Sequence, residues 1–134
     1  MEASHNSEIF LAYSDKDRPW VEQFSSALRH AGIESWFDVA DLPPGASLED
    51  QLESALRASR TLVLILTPDS IKNPWTLFEL GAAIGDKKRI IPVIAKEFDW
   101  EKAPLTLKNY VSVKEASPQK AGELVAAVIE QTAT

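Results

Sequence analysis

The sequence predicts an α/β fold, one five-stranded parallel sheet with helices on both faces. Three observations carry this. Short aliphatic runs alternate with longer stretches of helical period from residue 9 onward. Residues 62–66 (LVLIL) are apolar throughout, as a central parallel strand covered on both faces must be. Prolines, glycines and capping residues fall where one pattern gives way to the next.

Residues 1–7 are polar and without pattern, and read as a disordered tail ahead of a single domain spanning 8–134. Residues 9–13 (IFLAY) form the first strand. Asp17 is placed to cap the next helix, with Pro19 in its first turn. Trp20, Val21, Phe24, Ala27, Leu28 and Ala31 make one stripe at helical spacing, and Gly32 ends it. Residues 33–37 are a second strand. Residues 38–46 (DVADLPPGA) are a loop, followed by a capping box at 47–50. Leu48, Leu52, Ala55 and Leu56 give the helix after it an apolar face.

After the third strand, Leu77, Leu80 and Ile84 face the sheet on a helix that carries Trp75, Glu79 and Ala82 on its other side. Residues 90–94 (IIPVI) are a fourth strand. Its Pro92 cannot donate to a ladder and belongs where no N–H is needed. Residues 97–109 are irregular, and 110–113 are a weak fifth strand. Ser117 and Pro118 open a last helix with Leu124, Val125, Val128 and Ile129 inward. With this length, five strands fit the flavodoxin-like order 2-1-3-4-5. In that order ligands bind beyond the carboxyl ends of the strands, at the switch point between strands 1 and 3.

Composition narrows the chemistry. The chain of 134 residues has no cysteine, which excludes disulfide scaffolds, thiolate metal sites and cysteine nucleophiles. It has two histidines, His5 and His30, too few for a histidine-rich metal centre. A net charge of −6 disfavours nucleic acid as a partner. No apolar run approaches the roughly 20 residues needed to span a bilayer. The N-terminus also lacks the basic-then-apolar order of a signal peptide. The expected compartment is the cytoplasm, with no membrane partner.

The segment NPWTLFELGAA (73–83) places one acid, Glu79, a helical turn after Trp75 among apolar residues. Most helical acids are simply solvated, and pattern alone leaves that reading open.

Four segments in order resemble a TIR (Toll/interleukin-1 receptor) domain of the bacterial kind. EIFLAYSDKD is similar to the family's first box, and FDVADLPPGASL to its second box and BB loop. NPWTLFELGAA is similar to its S-x-W-x-x-x-E-L segment, and IIPVI to its fourth strand. The resemblance implies cleavage of NAD+ at the nicotinamide–ribose bond, giving nicotinamide and ADP-ribose or a cyclic isomer. It implies Glu79 as the catalytic acid, with Tyr13, Ser14, Asp38 and Trp75 binding the dinucleotide. NAD+ is then substrate, and no cofactor or metal is expected. Asp41, Leu42, Pro43, Pro44 and Gly45 are implied as a self-association loop that contacts another TIR domain. A separate sensor protein and a role in bacterial antiphage defence are also suggested.

The sequence departs from the family pattern at Ala12, at Asn73 (serine in the motif) and at Thr76. It has no glycine-rich phosphate loop, so Lys16, Arg18 or loop N–H groups would hold the phosphates. Three other readings compete. One is a non-catalytic scaffold that signals through TIR–TIR contacts. Another is a phosphoacceptor receiver using Asp15, Asp17, Asp69 and Lys114. The third is a nucleoside-processing enzyme of related fold.

Overall fold

The computed structural model describes residues 9–36, 57–72, 74–95, 101, 107 and 110–132, and the side chains of these except 36, 74–79 and 132. The tail, the 38–46 loop, the capping box at 47–50, the apolar face Leu48 to Leu56 and most of the irregular stretch 97–109 lie outside the described residues.

The α/β expectation holds. The strands are β1 (Ile9–Ala12), β2 (Ser35–Trp36), β3 (Thr61–Leu66), β4 (Arg89–Ile94) and β5 (Val113–Lys114). They form one parallel sheet in the order β2-β1-β3-β4-β5. Every residue of β3 is buried, as its uninterrupted apolar run requires.

Alternation along the strands sends side chains into two separate cores. Ile9, Leu11, Val63, Ile65, Ile91 and Val93 point to one face, covered by two helices, Arg18–His30 and Pro118–Thr132. Phe10, Ala12, Leu62, Leu64, Leu66, Ile90 and Ile94 point to the other. There the helix Pro74–Gly85 supplies Leu80 and Ala83, and Leu107 completes the layer.

The first helix carries its predicted stripe inward through Val21, Phe24 and Leu28. Trp20 stacks on Phe24 at 5.5 Å and donates its Nε1–H to the Ala116 carbonyl at 2.8 Å. Gly32 ends the helix with φ at +86°. The Ile33 N–H reaches the Leu28 carbonyl at 2.9 Å and the Gly32 N–H reaches that of Arg29 at 2.9 Å. That is a Schellman closure, with Ile33 folding back into the core beside Leu28.

The central helix closes in the same way on a less suitable residue. Lys88 N–H bonds the Ala83 carbonyl and Lys87 N–H that of Ile84, each at 3.0 Å, with Lys87 at φ +58°. A side chain in that left-handed region is strained. Lys87→Gly is therefore expected to stabilise the fold by about 1 kcal/mol, seen as a higher urea midpoint at unchanged slope. Lys88 must be left intact, because its Nζ donates to the carbonyls of Ser59 at 2.6 Å and Arg57 at 3.2 Å.

Four expectations need correction. Leu124 is 47% exposed, while Ala121, Val125, Ala126 and Ile129 make the buried face of the last helix. Leu124 falls outside that face at helical spacing, and the helix approaches the first one closely at Gly122. The fifth strand is Val113–Lys114, and Val111 is 91% exposed; two residues of pairing leave no period to read. Among the described residues the second strand pairs through Ser35 and Trp36, and Ile33 and Glu34 precede it. Ala82 is half-buried against the same core as Leu80, so it does not stand on a separate face. Pro92 lies opposite Leu64, ahead of Val93 where β5 joins β4. No described strand lies there to need its N–H.

Candidate active site

β1 and β3 end side by side, so the turns that follow them lie together at the carboxyl edge of the sheet, the edge where folds of this kind bind ligands. After β1, Ser14 is buried and caps the 3-10 turn Asp15–Asp17, its Oγ accepting from the Lys16 N–H at 3.4 Å. The Asp17 N–H closes the turn on the Ser14 carbonyl at 2.8 Å.

Asp17 occupies the N-cap position of the first helix, yet its side chain makes no capping bond. It is 1% exposed, and its Oδ2 accepts from the Thr67 hydroxyl at 2.5 Å. Thr67 is the first residue after β3. Its Oγ1 accepts from the Ser70 N–H at 3.1 Å. In return, the Ser70 Oγ accepts from the Thr67 N–H at 3.0 Å and donates to the Thr67 carbonyl at 3.3 Å. Thr67 and Ser70 are both fully buried. The sequence places Asp17 as a helix cap, and nothing in its pattern points to this network. The chain then runs through the 3-10 turn Ser70–Lys72 into the helix that begins at Pro74.

Trp75 therefore stands in the first turn of that helix and Glu79 one turn later. Their side chains, together with Asn73, Asp38 and the loop residues Asp41, Leu42, Pro43, Pro44 and Gly45, lie outside the described residues. The backbone brings Ser14 and the start of the Trp75–Glu79 helix to the same edge. Tyr13 is placed differently. It directly follows β1 with the parity of Ile9 and Leu11, and its side chain packs against the core under the first and last helices. The helix carrying Glu79 covers the opposite face.

The two cations considered for phosphates already have partners. Lys16 Nζ lies 3.8 Å from Asp69 Oδ1, an exposed pair of small energetic weight. Arg18 donates from Nη1 to the Tyr13 hydroxyl at 3.4 Å and places Nε 3.6 Å from Glu22 Oε2. The receiver-type acid cluster does not form: Asp17 is turned to Thr67, Asp69 to Lys16, and Asp15 faces solvent. Among the described residues no group of three histidine, aspartate or glutamate side chains is placed to hold a metal ion. No described helix is long and apolar enough to cross a membrane.

A parallel sheet of this order, with a W-x-x-x-E helix opening after β3, defines a class of α/β domain. Residues 9–125 match the family model for the TIR domain, and the chain belongs to that family. It is similar to the 2' cyclic ADP-D-ribose synthase AbTIR of Acinetobacter baumannii, 29% identical over 91 residues, or 64% of this chain and 34% of that one. It is similar also to the NAD(+) hydrolase PdTIR of Paracoccus denitrificans, 31% identical over 91 residues, or 64% and 30%. The match thus spans about a third of the length of these relatives, 34% and 30%. Among solved structures, the TIR domain of the Toll-related receptor TRR-2 of Hydra magnipapillata is similar, with a TM-score of 0.75 at 20% identity. That match covers 93% of this chain and 97% of that one, and speaks for the fold alone.

Proposed function

We propose that this TIR domain cleaves NAD+ at the nicotinamide–ribose bond, with Glu79 as the catalytic carboxylate. One observation carries the reading. The Trp75–Glu79 segment opens a helix directly beyond the carboxyl end of β3, where ligands bind in parallel sheets of this kind. The names of two relatives, an NAD(+) hydrolase and a cyclic ADP-ribose synthase, supply the substrate class.

The chemistry suits the residues. Loss of nicotinamide develops oxocarbenium character on the ribose, and a fixed anion beside that ring lowers the barrier. Trp75 is the aromatic offered to the pyridinium or adenine ring. Ser14 and Asp38 supply polar contacts to the dinucleotide. Tyr13 serves at the rim, through the hydroxyl that it shares with Arg18. The product is linear ADP-ribose or a cyclic isomer. The test is incubation of concentrated protein with NAD+, following nicotinamide release and separating the two ADP-ribose products. Absence of nicotinamide at any protein concentration would leave the scaffold reading in its place.

Self-association completes the proposal. Leu42 beside Pro43 and Pro44 is an apolar group on a sequence whose prolines restrict the unbound chain, which lowers the entropy lost on docking. Specific activity is expected to rise steeply with protein concentration, with Asp41 to Gly45 at the contact between TIR domains. Gly45→Pro is expected to remove that rise while the circular dichroism spectrum stays native. A flat specific activity across a hundred-fold dilution series in both proteins would show that one chain suffices.

A further inference from the structure

We infer that Asp17 is a positioning residue for the reaction: its buried carboxylate locks the turn after β1 to the turn after β3 and so fixes where the Glu79 helix begins. The inference rests on the proposed NAD+ cleavage for its catalytic consequence, and on the structure alone for the lock.

The lock joins residues 50 apart in sequence: the Thr67 hydroxyl donates to Asp17 Oδ2 at 2.5 Å. Both ends are rigidly held. Asp17 ends a 3-10 turn closed on the Ser14 carbonyl, and its neighbour Arg18 starts a helix of 13 residues. Thr67 is tied reciprocally to Ser70 by three further bonds between 3.0 and 3.3 Å. From Ser70 the chain needs only one 3-10 turn to reach Pro74, and Ile71 in that turn packs on the core beneath the helix. A displacement of the Thr67 turn is therefore passed to the start of the helix carrying Trp75 and Glu79. The turn after β1, with Ser14, lies at the same edge of the sheet.

Stability alone gives little reason for an acid here. Burying a carboxylate costs several kcal/mol in desolvation, and well-packed apolar replacements of buried charges are often neutral or stabilising. What the carboxyl acceptor does provide is a short, directional bond, 2.5 Å from the Thr67 hydroxyl, that admits one arrangement of the two turns. The exposed pair of Lys16 and Asp69 spans the same two turns but is too solvated to enforce it.

The experiment compares Asp17→Asn, Thr67→Val and Thr67→Ser in the full chain, with amide hydrogen exchange and NAD+ kinetics on each. Thr67→Val removes the same bond from the other end, so the question stays answerable if Asp17→Asn does not fold. Exchange at residues 14–17 and 67–72 is expected to accelerate together in Asp17→Asn and Thr67→Val, and to stay slow in Thr67→Ser, which keeps the hydroxyl. In the same two variants kcat is expected to fall about 10- to 100-fold, as displacements of the order of an ångström produce, with KM nearly unchanged. Thr67→Ser is expected to restore the wild-type value. Unchanged exchange in both turns, or equal kcat in Thr67→Val and Thr67→Ser, would overturn the assignment. If wild-type protein releases no nicotinamide, the NAD+ reading fails, and the exchange measurements still decide for or against the lock.

Discussion

Glu79→Gln is expected to lower NAD+ cleavage by at least about 100-fold while leaving the melting temperature close to that of the wild type. The substitution keeps the length and hydrogen-bonding capacity of the side chain and removes only its charge. If the carboxylate stabilises positive charge that exists only in the transition state, its loss falls on kcat more than on KM. The fold should tolerate the change, because among the described side chains of this helix Leu80 and Ala83 supply the buried contacts. A folded Glu79→Gln protein with full activity would remove Glu79 from the mechanism. A parallel fall in activity and melting temperature would assign it to packing.

What could be read in the sequence follows from the range of the forces involved. β3 and the first helix were legible because their patterns are local. An unbroken apolar run has one structural meaning when bounded by turns, and the stripe from Val21 to Leu28 ends at a glycine that the backbone needs at φ +86°. The face of Tyr13 was legible in principle, since strand parity ties it to Ile9 and Leu11.

The bond between Asp17 and Thr67 had no local signature. Nothing within a few residues of either distinguishes a capping aspartate from one that reaches a strand end 50 residues away. Leu124 failed for a different reason. Hydrophobicity marks what can be buried, while the helix phase decides what is: Ala121, Gly122, Val125, Ala126 and Ile129 share the face turned to the first helix, and Leu124 lies outside it.

The close approach of the two helices at Gly122 leads to a pair of substitutions with opposite expected signs. A Cβ added at Gly122 would stand 2.6 Å from Ala27 Cβ and 2.9 Å from the Phe24 carbonyl oxygen. Neither neighbour can yield alone. Ala27 has no rotamer to change, and the Phe24 carbonyl belongs to the backbone of the first helix. Relief requires the two helices to separate, which loosens the core formed by Phe24, Leu28, Val125 and Ile129 and the Trp20 bond to Ala116. Gly122→Ala is therefore expected to destabilise the domain by about 1–3 kcal/mol, the usual cost of overpacking. This outweighs the roughly 0.5–1 kcal/mol that alanine gains over glycine inside a helix. Gly81 serves as the control, because a Cβ there would meet nothing within 4 Å. Gly81→Ala should show the helix gain alone and stabilise by about 0.5–1 kcal/mol. Urea unfolding of the two variants beside the wild type decides the matter. Midpoints shifted in the same direction would mean that the close contact at Gly122 does not govern the packing of these helices.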